Sequence, residues 1–303
     1  MSTEIYRIST QTGNLFNECS NDYEYLLGCF THLHDCGFEA IDYNIDHFLD
    51  GTAIVNGELN DFWDKSLDEL YEYFTPTKNA VHDSGLVFSQ THASFPVYME
   101  GKDKINDYMI MVTKKTLAVC KFLGCPALVV HPFFGKDYHK ENEINLNIYR
   151  KLIPAAKEYG VTVCLENGYA EIETHCMLID KLNAEAGAKC FGYCLDIGHA
   201  NNCGGLFKKY IVMLGDRLTC LHIHDNDGVN DSHMIPYTQT RGYKIKCTDY
   251  DGMLAGLREI GYRGNLSFEA FRGFEALPKE VESEALKLVS AIGRYWRSKL
   301  ING

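Results

Sequence analysis

Six residues of the kind that bind metals or move protons each close a short apolar run. His92 ends GLVFSQTH, His131 ends ALVVH, Glu166 ends VTVCLE, Asp196 ends GYCLD, His222 ends LTCLH and Glu269 ends NLSFE. One such ending says little. Six of them, separated by helix-like segments, describe the polar rim of a barrel. Glu166, Asp196 and Glu269 would converge there as three anions in a low-dielectric cup, where mutual repulsion and lost solvation call for a cation. Oxygen ligands from three strands plus an imidazole suit Mn²⁺, Mg²⁺, Co²⁺ or Zn²⁺, not a closed structural zinc site.

The imidazole comes from LHIHDNDG, where His222 and His224 lie two apart on a strand and so face the same way. One can bind the ion while the other meets substrate or orients a ligand, and spacing leaves the choice open. His199 follows Asp196 in CLDIGHAN, and Asp231, Ser232 and His233 share one loop. These outer groups are candidates for further metal or substrate contacts.

The elements that must position these residues alternate to the end of the chain. A helix-like stretch, a glycine and a β-rich run recur as MVTKKTLAVCKFLGCPALVVH, LIPAAKEYGVTVCLE and LAGLREIGYRGNLSFE. An earlier helix ends near Gly37. Strands are predicted near 5–9, 38–43, 86–91, 126–130, 161–165, 191–195, 218–222 and 265–269, and PKEVESEALKLVSAIGRYWRSKL forms the last helix. Eight strand–helix repeats predict an α/β fold, a single (β/α)8 TIM barrel with its functional residues at the C-terminal strand ends. A doubly wound sheet is the alternative, but STQTGNLFN is no glycine-rich phosphate loop. No linker divides residues 1–303, so one domain is expected. The irregular stretches 46–61 and 226–248 follow strands, where active-site loops belong.

Composition narrows the class. The chain has 303 residues, nearly half apolar, and a formal net charge of −12. That charge repels phosphate backbones, which makes nucleic acid a poor partner. Twelve cysteines are dispersed, many inside apolar strand or helix patterns and none in a CxxC pair, as expected of buried thiols in a reducing cytoplasm. MSTEIYRIST does not read as a signal peptide, and no apolar run approaches the roughly 20 residues that span a bilayer. A homo-oligomer is compatible with all of this.

THASF (91–95), HPFFG (131–135), LENGY (165–169), LDIGHAN (195–201), HIHDNDG (222–228) and LSFEAF (266–271) carry a resemblance over nearly the whole chain. The sequence resembles the xylose isomerase-like barrel superfamily, which includes sugar phosphate isomerases and epimerases and the endonuclease IV group. The resemblance implies a divalent metal on Glu166, Asp196, His222 and Glu269, selecting His222 over His224 and leaving His224 in reserve. Its endonuclease branch implies two further ions, one on His92, His131 and Glu166, the other on His199, Asp231 and His233. TQTGNLFNE and NIDHFLDGTAIVNGELND contain no Lys or Arg to grip DNA, which places a zinc phosphodiesterase acting on abasic DNA second.

The expected activity is therefore metal-dependent isomerisation or epimerisation of a sugar or polyol through an enediolate, with Glu166 and Glu269 exchanging the proton. His199 or His224 would hold hydroxyls. Phe95, Phe133, Phe134 and Tyr169 would pack a sugar face. A lyase or dehydratase of oxo-sugars or 3-oxo-glycosides uses the same chemistry and is a third reading.

Overall fold

The glycine-stopped helices and β-rich runs do form the predicted units in a computed structural model, which describes residues 5–135, 138–168, 172–240 and 248–303. The helix Asp103–Leu123 ends at Gly124 and the helix Ile153–Tyr159 at Gly160, each glycine in the left-handed region that a side chain would disfavour. The strands that follow join six others: β1 (Ile8–Gln11), β2 (Ala40–Tyr43), β3 (Val87–His92), β4 (Ala127–Val130), β5 (Thr162–Glu166), β6 (Phe191–Asp196), β7 (Leu218–His222) and β8 (Leu266–Phe268).

All eight pair in parallel in the order β7-β6-β5-β4-β3-β2-β1-β8. The seam is closed just past β7. Ile223 bridges Phe268, its N–H donating to Ser267 O (2.9 Å), while Glu269 N–H donates to Ile223 O (2.9 Å). Closure thus sets Glu269 beside His222. The fold is a (β/α)8 TIM barrel, and its strands end where the candidate residues begin.

Two boundaries depart from expectation. β1 starts at Ile8, not Ile5, because Tyr6 takes φ 55° and interrupts the extended chain. The 46–61 stretch is not wholly irregular: it contains the short helix Gly51–Asn56, whose first amides, at Thr52 and Ala53, donate to the Asp50 side chain.

The last helix, Lys279–Asn302, covers the β8–β1 seam. Gly293 lies so close that a Cβ there would stand 2.8 Å from Ile8 and 3.0 Å from Phe268. Trp296 is fully buried, stacks on Phe268 (centroids 5.5 Å apart) and donates from Nε1 to Tyr237 Oη (2.8 Å). Trp296→Ala is expected to lower unfolding free energy by about 3–5 kcal/mol, read from denaturant melts. Among the described residues, no helix is long and apolar enough to cross a membrane.

Candidate metal centre

Register brings the strand ends level. Glu166 pairs with Cys194 across β5–β6, and Asp196 pairs with His222 across β6–β7. One ligand atom from each of Glu166, Asp196, His222 and Glu269 lies within 4.8 Å of the others. Glu166, Asp196 and His222 are at most 1% exposed. Glu166 Oε2, Asp196 Oδ2, His222 Nδ1 and Glu269 Oε2 are buried, with no hydrogen-bond partner among the described residues. Orphaned acceptors at that density are costly unless a cation sits among them, so the donor set fits a divalent ion.

The two strand histidines differ in what each ring's nitrogens touch. His222 Nε2 donates to Asp42 Oδ2 (3.0 Å), which turns Nδ1 toward Glu166 Oε1 (3.1 Å) and Glu269 Oε2 (3.4 Å). The partner carboxylate makes Nδ1 the lone-pair nitrogen, as a ligand requires. His224 is completely buried, and its Nε2 points to Asp196 Oδ1 (3.2 Å) and Asp231 Oδ1 (3.5 Å). It is not among the residues that line the cavity. Its ring fills the space over Gly198, where a Cβ would stand 1.8 Å from it.

Two outer groups flank the centre. His92 and His131 face each other through their Nε2 atoms (3.0 Å), each 3.5 Å from Glu166 Oε2. His224, Asp231 and His233 form the other set with mutually close ligand atoms. The expected trio of His199, Asp231 and His233 also meets, since His199 Nε2 and His233 Nε2 both reach Asp231 Oδ2 (3.2 and 3.1 Å), and His224 stacks on His233 with centroids 4.0 Å apart. The outward nitrogens of His92, His199 and His233 meet the carbonyl oxygens of Ala93, Asn167 and Glu269. Each inward nitrogen is thereby a candidate ligand.

The charges of the protein groups push the same way. Burial opposes protonation of His92, yet the carboxylates of Glu166 and Asp46 raise it to about 9. Burial likewise opposes His199 and His233, which nearby carboxylates raise to about 11 and about 9. His131 is lowered to about 4 by burial. The two glutamates separate: burial raises Glu269, while the His222 and His131 charges outweigh burial and hold Glu166 well below the usual range.

Two residues at the centre were not among the expected ones. Asp42 hides inside the short run AIDY. It accepts from His222 and from Gln90 Nε2 (2.8 Å). Asn167, immediately after Glu166 in LENGY, clamps Asp196: Oδ1 accepts from its N–H (2.7 Å) and Nδ2 donates to its carbonyl (2.9 Å). Asp42→Asn is expected to weaken ion binding about 10–100-fold, measured by chelator competition, because an amide no longer fixes the His222 tautomer by charge.

Above the centre lies a cavity of about 280 Å³ whose walls include Gln11, Asn44, His47, Phe95, His199 and Phe271. Of the expected aromatic walls, Phe95 is present. Phe133 packs against Tyr98 (5.1 Å), Phe134 lies over Gly168, and Tyr169 is outside the described residues. Phe271, unforeseen, packs on His233 (4.5 Å).

A family model described as xylose isomerase-like TIM barrel matches residues 30–289. An uncharacterized protein of Methanocaldococcus jannaschii is 28% identical over 183 residues, 55% of this chain and 59% of that one. Another, of Sinorhizobium fredii, is 24% identical over 168 residues, 53% of this chain and 52% of that one. The match therefore spans little more than half the length of these curated relatives. Among solved structures, an Escherichia coli 3-keto-D-glucoside 4-epimerase aligns over 96% of this chain and 99% of its own, with TM-score 0.67 and 18% identity. An L-ribulose 3-epimerase aligns over 99% of both chains, with TM-score 0.67 and 16% identity. At these identities the likeness is one of fold.

Proposed function

Since the chain belongs to the xylose isomerase-like TIM barrel family, we propose that it is a divalent-metal-dependent isomerase or epimerase of a sugar or sugar-like polyol, working as one domain over residues 1–303. The observation that carries this reading is the convergence of Glu166, Asp196, His222 and Glu269 beneath a polar cavity. The sugar epimerases among the structural neighbours support it, as relatives in fold. Free thiols among the described cysteines suit a cytoplasmic setting.

When bound, a divalent ion supplies Lewis-acid polarisation of a substrate carbonyl. The remaining work falls to this chain's side chains. Glu166 and Glu269 approach the cavity from different strands, β5 and the end of β8, and their proton affinities are pushed apart. In this reading Glu166, on β5, takes a proton from the carbon beside the carbonyl, and Glu269, just past β8, returns one. His199 lines the cavity and holds substrate hydroxyls. Phe95 and Phe271 present apolar surface to the ring carbons.

The test is reaction of ion-loaded protein with a panel of ketoses and oxo-sugars in D₂O. Deuterium is expected at the carbon next to the carbonyl. Turnover with the original hydrogen carried across would instead show a hydride shift.

The outer groups around His131 and His233 exceed what one central ion needs, and they favour a second reading, a zinc phosphodiesterase acting on abasic DNA. We expect no useful nicking by zinc-loaded protein. Efficient incision that disappears in Glu269→Gln would reverse the order of the two readings. A lyase or dehydratase of oxo-sugars would appear in the same D₂O experiment as loss of a substituent.

A further inference from the structure

We propose that the substrate of this site is a glycoside or disaccharide, whose second, uncharged and hydroxyl-rich ring occupies a chamber adjoining the metal cavity. This rests on the sugar isomerase reading and specifies the substrate's size and chemistry. The chamber encloses about 490 Å³ between the segment after β1 and the segment after β2, with Phe16, Asn17, Glu18, Asp50 and Gly51 on its walls. Asn14, Asp46, His47 and Phe95 line both spaces, which makes them one cleft. The metal cavity alone, at about 280 Å³, is at the small end of the roughly 300–1,000 Å³ common for ligand sites. A single sugar ring would leave the larger part of the cleft to water.

The chamber is built, and its walls are tied together. Asn44 Oδ1 accepts from the N–H groups of Gly13 (2.8 Å) and Thr12 (3.1 Å). Tyr43 Oη donates to Glu18 O (2.8 Å), and Cys19 Sγ to His47 O (3.4 Å). Gly51 permits close approach of the wall helix: a Cβ there would stand 2.8 Å from Phe95 O.

The lining also carries an unmet demand for donors. Glu18 is 2% exposed, and its Oε2 is engaged by His47 Nδ1 at 3.1 Å. Glu18 Oε1 and Asp46 Oδ1 are buried without a hydrogen-bond partner among the described residues. A buried acceptor left unpaired costs about 1–3 kcal/mol, so a ligand that brings donors is favoured. Sugar hydroxyls are such donors, and a carboxylate can take two at once. Phe95, 41% exposed at the junction, offers the apolar surface that a pyranose C–H face covers, with its ring 4.6 Å from His131 on the metal side. An anionic second unit would meet Glu18, Asp46 and Asp50 instead.

The experiment is calorimetric titration of ion-loaded protein with D-fructose and with isomaltulose, leucrose, cellobiose and trehalose. At least one disaccharide is expected to bind about tenfold or more tighter than the single ring, a difference of about 1.4 kcal/mol. Glu18→Gln should remove most of that margin. Asn17→Trp, which fills the chamber from its exposed rim, should do the same without touching a buried group. Equal affinity for one ring and two, or no binding of any disaccharide, overturns the chamber, and deuterium exchange into fructose would still support the isomerase reading. Tighter disaccharide binding, lost in Asn17→Trp, supports the chamber even if no sugar exchanges deuterium. That absence would count against the isomerase reading alone.

Discussion

Glu166→Gln and Glu269→Gln are each expected to lower turnover of the true substrate by about 10²–10⁴-fold, the usual worth of a positioned acid or base. Glutamine keeps the shape and one oxygen ligand but cannot cycle a proton. Ion binding should therefore survive in weakened form, which separates loss of chemistry from loss of the site. The two variants should also differ. With Glu166 as the group that removes the proton, Glu166→Gln should abolish deuterium exchange along with turnover. Glu269→Gln should spare some exchange, since removal of the proton precedes its return on the other face. Near-normal activity in both variants would leave the two glutamates as ligands and nothing more.

Chelation is expected to abolish activity and addition of one divalent ion per chain to restore it, with proton release on binding. The sign follows from the histidines. Taken as protein groups alone, His92 and His233 are raised to about 9 by surrounding carboxylates acting against burial, and His199 to about 11. The central ion must displace the proton of His222, whose pKa burial lowers but the groups around it, Glu269 and Glu166 among them, raise well above the usual value, so affinity should climb as pH rises. Stability of the chelated protein should move the opposite way. A histidine whose folded pKa exceeds its unfolded value near 6.5 stabilises the fold fully below that value, and the contribution is lost as pH rises through the folded pKa. Chelated protein should thus melt at lower temperature at pH 10 than at pH 7, and ion-loaded protein should show a smaller drop. Melting curves in the two states, with titrations in buffers of different ionisation enthalpy, check both signs. An ion that binds without proton release and with flat pH dependence would contradict the account.

Much of this was legible in the residues because the signals are local. Period-two apolar runs ending in a histidine or carboxylate, each preceded by a glycine-stopped helix, require nothing beyond neighbours in the chain. They were enough to place eight strands and to predict a barrel; the choice of His222 over His224 beside Glu166, Asp196 and Glu269 came from the family resemblance, not from spacing. Among the strands the departures stayed at boundaries, as at β1, where Tyr6 adopts a backbone conformation its side chain gives no reason to expect.

What only the tertiary structure decided lies between segments far apart in sequence. Asp42 and His222 are 180 residues apart, so no spacing rule connects them, yet that one hydrogen bond turns Nδ1 toward Glu166 and Glu269. His222 and His224 are equivalent on a strand by periodicity. The barrel separates them, because the chain past β7 turns over Gly198 and carries His224 into a buried position against His233. The chamber beside Phe95 exists only where the segments after β1 and β2 meet. Local patterning thus determined which residues reach the rim. Closure of the barrel, which brings strand ends from the whole length of the chain to one mouth, decided which atoms of those residues face one another.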